Sequence, residues 1–262
     1  MTRIARWEAL EQEIEKLKNE HNMQLRKQAE EADNIIKRRF GFSAKLIEAE
    51  LEVQNHSGDC VFYRAYHGLC SSIRMPHIMH KVVGSPYGSI EGDPVFVNIG
   101  KPFHKALSLQ VTERPNAYCR TFRVSIHGDL TEADKDTLCY KYMIRAKNAF
   151  AMTQEEFKAQ HELREENEPS GEYFAFDVEY PLEELKLIVK FPEAYPVQPQ
   201  LLAYLSHGWV INEAEFQRVR GDFIKEANCA TITIKKPLHG FRYVIYWDPP
   251  SRLDLRKGKE NA

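Results

Sequence analysis

The sequence predicts a mainly β fold that is α+β overall: antiparallel, sandwich-like β modules behind a long N-terminal α-helix, with one or two further helices. Three observations carry this. Residues 1–40 hold neither proline nor glycine and are rich in Glu, Lys, Gln, Arg, Ala and Leu. Beyond Phe42, short segments of alternating polarity are punctuated by proline and glycine. Residues 153–168 then return to helical composition before a second run of alternating segments.

In the first element, over residues 1–41, Trp7, Leu10, Ile14 and Leu17 fall at spacings of three and four, which puts them on one stripe of a coiled-coil-like helix. The seam weakens at His21 and Gln24 and resumes, shifted, at Leu25, Ala29, Ala32 and Ile36, so a long uniform coiled coil is not expected. Nine basic and eight acidic residues among the first 40 leave only this narrow stripe apolar. It suits either packing on the chain's own domain or contact with a second chain, and the four anchors are the predicted partner-binding residues.

A β-rich domain is expected over 42–152. KLIEAELEVQ and CVFYRAYHGL flank the turn NHSGD as a hairpin, and DPVFVNIG, HKALSLQVTE, YCRTFRVSIHG and TLCYKYMIRAK supply further strands. Thr153 and Glu156 have capping-box spacing and open an acidic helix and linker over 153–170. From Gln154 to Glu184 eleven acidic side chains face only Lys158 and Arg164, which reads as a solvated face or as a strip for a basic partner. A second β-rich module over 171–250 is built from EYFAFDVEYP, LKLIVKFP, LLAYLSHG, a helical stretch NEAEFQRVRGDFIKEA, CATITIKKP and FRYVIYWDPP; residues 251–262 read as a flexible tail. In the last strand Phe241, Tyr243, Ile245 and Trp247 share one face, expected to be core.

Composition narrows the function classes. Thirty-six basic against 38 acidic residues give a formal charge of -2, so no global field draws in nucleic acid or an anionic membrane. A nucleic-acid contact would rest on Lys37, Arg38, Arg39 and the tail. No apolar run reaches the length of a membrane helix, and the N-terminus lacks a signal-peptide core, which predicts a cytoplasmic protein. Five cysteines in no CxxC pair predict reduced thiols, not a disulfide framework or a zinc site. Neither a phosphate loop, a GxSxG elbow nor an HExxH is present, so no metal or cofactor is expected. His67, His77, His80 and His104 are the histidines from which a site would be assembled.

The stretch LIVKFPEAYPVQPQ places Pro192, Pro196 and Pro199 after a strand. They remove three backbone donors and bend the chain over a sheet edge, where Tyr195 is positioned to cover the corner. From Glu172 to Ala227 this order of strands, FPEAYPVQP and helix resembles the RWD and ubiquitin-conjugating fold. That family's conjugating members set a His-Pro-Asn triplet before a cysteine nucleophile. Here His207 is followed by Gly208 and Trp209, and Cys229 opens a strand, so the resemblance implies a non-catalytic module. The phrase PLHGFRYVIYWDPP is similar to terminal strands of β-rich accessory domains in bacterial signalling and defence proteins. Together these readings predict a non-enzymatic adaptor or regulatory protein that binds a protein partner, as a component of a bacterial defence or stress pathway. The alternatives are an enzyme with a site around His67, His77 and His80, and a nucleic-acid-binding protein.

Overall fold

In the computed structural model the described residues are 42–71, 77–85, 87–98, 106–128, 138–161, 171–205, 222–226 and 228–260, with six isolated positions between 16 and 27. The anchors Trp7, Leu10, Ile14 and Leu17 lie outside them, as do Lys37, Arg38, Arg39 and His104.

Fourteen strands run in order: β1 (Phe42–Val53), β2 (Cys60–His67), β3 (Cys70–Ser71), β4 (His77–Val83), β5 (Ser89–Val97), β6 (Leu107–Asn116), β7 (Cys119–Ile126), β8 (Cys139–Lys147), β9 (Glu172–Asp177), β10 (Leu182–Lys190), β11 (Gln200–Leu205), β12 (Asp222–Glu226), β13 (Cys229–Lys235) and β14 (Phe241–Trp247). Among the residues described without interruption, two short helices are interspersed, α1 (Gln154–His161) and α2 (Arg252–Glu260). This corrects the α+β expectation. The described residues are β-rich, 59% strand against 11% helical, and among them no long N-terminal helix is present to build a coiled coil.

The strands form an eight-stranded sheet, ordered β12-β13-β10-β1-β2-β8-β5 with β3 on β1, and two three-stranded sheets, β11-β14-β9 and β4-β7-β6. β1 runs antiparallel to β2 but parallel to β10, from Ala44 opposite Leu182 to Glu52 opposite Lys190. The regions 42–152 and 171–250 therefore meet inside one mixed sheet. Alternation explains why this join is stable: Ile47, Ala49, Leu51 and Val53 of β1 are buried in phase with Leu185, Leu187 and Val189 of β10 and with Ala230, Ile232 and Ile234 of β13. Both small sheets cover this same face. Phe62 of β2 meets Phe174 of β9, and Tyr66, two positions further along β2 twice over, meets His80 of β4.

Three local readings of the sequence change in tertiary context. DFIKE, expected to close a helix, is strand β12, because pairing with β13 from Asp222–Thr233 to Glu226–Cys229 overrides its helical spacing. MPHIMHKVV contains strand β4, whose alternation is short and interrupted by histidine and lysine. The expected loose tail forms α2, capped by Ser251, whose Oγ accepts from Asp254 N at 3.2 Å; Arg252 N also donates to the Glu155 carboxylate. At α1 the capping pair forms, with Glu156 N donating to Thr153 Oγ1 at 3.1 Å and Met152 N donating to Glu156 Oε2 at 2.9 Å. After β10 the proline turn carries the chain from the large sheet to β11 of a small one. Tyr195 is buried at that corner, stacks on Phe191 with ring centres 5.7 Å apart, and donates to Met152 O at 3.1 Å.

The β1–β2 turn docks on the backbone that follows β8. Gly58 has φ +78°, its carbonyl accepts from Ala149 N at 2.8 Å, and a Cβ on it would stand 2.2 Å from Phe150 O. Gly58→Ala is therefore expected to destabilise the fold by about 2–3 kcal/mol, read as a lowered urea midpoint at unchanged slope.

On the opposite face of the large sheet, β1 presents Glu48, Glu50 and Glu52 to lysines of its neighbours. Glu48 meets His67 Nε2 at 3.2 Å and Lys186 Nζ at 3.2 Å, and Glu50 meets Lys190 Nζ at 2.6 Å. The hydrogen bond with His67, aided by Lys186 against the cost of burial, brings the Glu48 carboxyl from its ordinary 4.5 down to about 2. A depressed carboxylate stabilises the fold above its unfolded value, so this contribution is lost as pH falls from 4.5 through about 2. With the pair about one-third exposed, solvent screening leaves about 1 kcal/mol. Urea titrations between pH 5 and 2 are expected to show Glu48→Gln losing that much less stability than the native chain.

Candidate functional site

Across β1, β2, β8, β10 and β13 the buried inward positions are apolar or aromatic until β2, where Cys60, Phe62 and Tyr66 share their phase with Arg64. Strand geometry thus places a guanidinium among core positions. It is tolerated because the two small sheets do not close over it completely. Between β4 of one and β9 of the other, each a terminal strand of its sheet, lies a cleft of about 560 Å³ whose lining includes Arg64, Tyr142, Phe174, Phe176 and Glu179. That volume falls in the range of pockets that hold small ligands or a short peptide segment.

Arg64 lies half-buried, with its Cζ 4.8 Å from the centre of the Phe176 ring, a cation–π distance. Tyr66 and Tyr142 lie near enough to feel its charge. No carboxylate lies within ion-pair distance of it among the described residues, whereas the second arginine of the cleft, Arg242, is held in bidentate fashion by Asp177 at 2.6 and 2.8 Å. Glu179 stands near enough to feel the charge of Arg64, but burial and the neighbouring Asp177 raise its pKa.

Beside Arg64 is a buried aromatic network. Tyr66 stacks on Tyr140 with ring centres 4.9 Å apart, and His80, only 4% exposed, lies between their hydroxyls: Nδ1 is 3.1 Å from Tyr66 Oη and Nε2 3.1 Å from Tyr140 Oη. A neutral imidazole donates through one nitrogen and accepts at the other, so both tyrosines satisfy it. Burial lowers the His80 pKa well below 6.5, and the charge of Arg64 lowers it further. Tyr142 is 1% exposed, and its hydroxyl makes no hydrogen bond. It feels the charge of Arg64, but their approach falls short of hydrogen-bond geometry. Burial raises the pKa of Tyr142, as it does that of Tyr140 and Tyr180.

The histidines considered together in the sequence are separated here. His80 enters the cleft wall, while His67 lies in the other phase of β2 and meets Glu48 on the opposite face of the large sheet. His77 belongs to β4, but its side chain lies outside the described residues. No group of three or more His, Cys, Asp or Glu residues is arranged to hold a metal ion among the described residues. Phe241, Tyr243, Ile245 and Trp247 face the core, where Trp247 packs on Phe150 and Phe191. Cys229 is half-buried, and Cys60, Cys119 and Cys139 are buried, all as free thiols. The residues missed in the sequence are Arg64, Tyr66 and Tyr142. For Arg64 a signal existed, a charged residue in the apolar phase of CVFYRAYH.

No protein-family pattern and no curated protein matches the sequence. Among solved structures, yeast LTA4 hydrolase in complex with bestatin aligns with 79% of this chain and 29% of its own at 8% identity and a TM-score of 0.35. A proposed protease from Parabacteroides distasonis aligns with 80% of this chain and 41% of its own at 11% identity and a TM-score of 0.38. The chain therefore spans less than half the length of either, and at these TM-scores the likeness carries no argument.

Because His80 stays neutral in the fold but takes up a proton near pH 6.5 once unfolded, the unfolded state binds more protons below that pH. Stability then falls as pH drops through 6.5, by at most about 1.4 kcal/mol per pH unit. Chemical denaturation at pH 7.5 and 5.5 is expected to show this loss in the native chain and its near absence in His80→Gln, which keeps hydrogen-bonding capacity toward the tyrosines.

Proposed function

We propose that the chain is a non-enzymatic binding protein that takes its ligand in the cleft between the two small sheets. The observation that carries this is the cleft itself: an opening of about 560 Å³ with an aromatic lining and a half-buried arginine in ion-pair contact with no carboxylate among the described residues. Such a combination supports recognition through apolar contact with one charged anchor. Its size supports a small molecule or a short segment offered by a protein partner, which keeps the binding role expected from the sequence but moves it from the N-terminal stripe to the sheets. The free state of the four described cysteines supports a reducing, cytoplasmic setting.

One observation favours the competing reading of an enzyme, the presence of His80 in the cleft wall. Against it, both imidazole nitrogens are engaged by tyrosines and burial keeps the ring neutral, which leaves His80 no free nitrogen to abstract a proton.

The test is a nuclear magnetic resonance titration of the full chain with a panel of anionic, neutral and cationic aromatic fragments, each also followed for chemical change. Shifts confined to cleft residues such as Phe174, Phe176 and Ala175, with every fragment recovered intact, are expected. Conversion of a fragment that stops in a folded His80→Gln variant would establish the enzyme instead.

A further inference from the structure

We propose that the cleft contains a subsite for one carboxylate joined to an apolar body, held by the Arg64 guanidinium and the Tyr142 hydroxyl; this rests on the binding role proposed above and specifies its ligand.

Two independent features point to such a group. Arg64 presents a planar fork of donors in the cleft, stacked on the Phe176 face and in ion-pair contact with no carboxylate among the described residues. A carboxylate matches that fork with two parallel hydrogen bonds. Beside it the Tyr142 hydroxyl is buried without a partner, although a buried polar group left unsatisfied is costly and most are paired. An oxyanion at the guanidinium would accept from this hydroxyl as well, satisfying both groups at once.

Charge decides between a carboxylate and a phosphate. Asp177 and Glu179 line the same cleft, and Arg242 is already neutralised by Asp177. With Asp177 and Arg242 cancelling, one arginine beside Glu179 suits a single negative charge better than a dianion. The rest of the ligand follows from the walls, where Phe62, Phe174 and Phe176 accept an aromatic or aliphatic body but offer little to a polar one.

Two sources present this chemistry, a free aromatic acid and the C-terminus of a peptide. Benzoate with benzamide, and N-acetylphenylalanine with its amide, separate them by isothermal and resonance titration on the full chain. One of the two acids is expected to bind at cleft residues at least about tenfold more tightly than its amide, and the tighter acid identifies the source. Arg64→Met is expected to abolish that preference. Tyr142→Phe, which removes one buried oxygen, is expected to weaken acid binding about fivefold and leave amide binding unchanged. Glu179→Gln, which removes a like charge, is expected to tighten it. Should Arg64→Met fail to fold, Arg64→Lys, which keeps the charge and loses the fork, decides in its place with a loss of at least about fivefold. Equal binding of acid and amide, or acid binding indifferent to the Arg64 and Tyr142 changes, overturns the proposal. If neutral fragments shift cleft residues and acids do not, the carboxylate subsite falls while the binding role stands; if nothing shifts them, both fall.

Discussion

Everything in this fold depends on covering one apolar face. The eight-stranded sheet presents Ile47, Ala49, Leu51, Leu185, Leu187 and Ile232 inward, and neither three-stranded sheet covers that face alone. Each sheet can bury its own inward side only against another layer, and here two small layers share one large one. The aromatic contacts Phe62–Phe174, Tyr66–His80 and Phe150–Trp247 fix where those layers sit. The seam between them follows from that arrangement, and strand β2 runs beneath it.

This placement explains how a charged residue lies in core phase without its own counter-ion. A fully enclosed arginine would require a carboxylate, because the desolvation cost of an unpaired charge is large. At the seam Arg64 keeps access to solvent while the Phe176 face stabilises the cation. His80 shows the converse. Lacking that access, it remains neutral and serves to lock Tyr66 and Tyr140. The chemistry of the cleft is thus divided between a group that keeps its charge and one that gives its charge up.

Much of the β content was legible because it is written in period two. KLIEAELEV, CVFYRAYH, FRYVIYW and the capping pair Thr153–Glu156 all show their structure locally. What was illegible is long-range. DFIKE spells a helix end and becomes a strand only because β13 offers it a ladder, and the parallel pairing of β1 with β10 has no signature in either segment. The α+β expectation weighted a helical composition at residues 1–41, nearly all of which lie outside the described residues. The candidate site was half legible. Arg64 violates the polarity of its own strand, but its meeting with Tyr142, Phe176 and Glu179 requires β8, β9 and the segment after β9 to be placed first. Histidine counting failed for the same reason, since His67 and His80 point to opposite sides of one sheet.

The join of β1 to β10 also shapes how the chain comes to exist. Ala44 finds Leu182 only after the intervening polypeptide has left the ribosome. Until then β1 can pair with β2, which is near in sequence, while its other border stays open to any strand that passes. The nascent molecule therefore carries an unfinished central ladder until β10 emerges, and its vulnerability to misassembly is greatest before then.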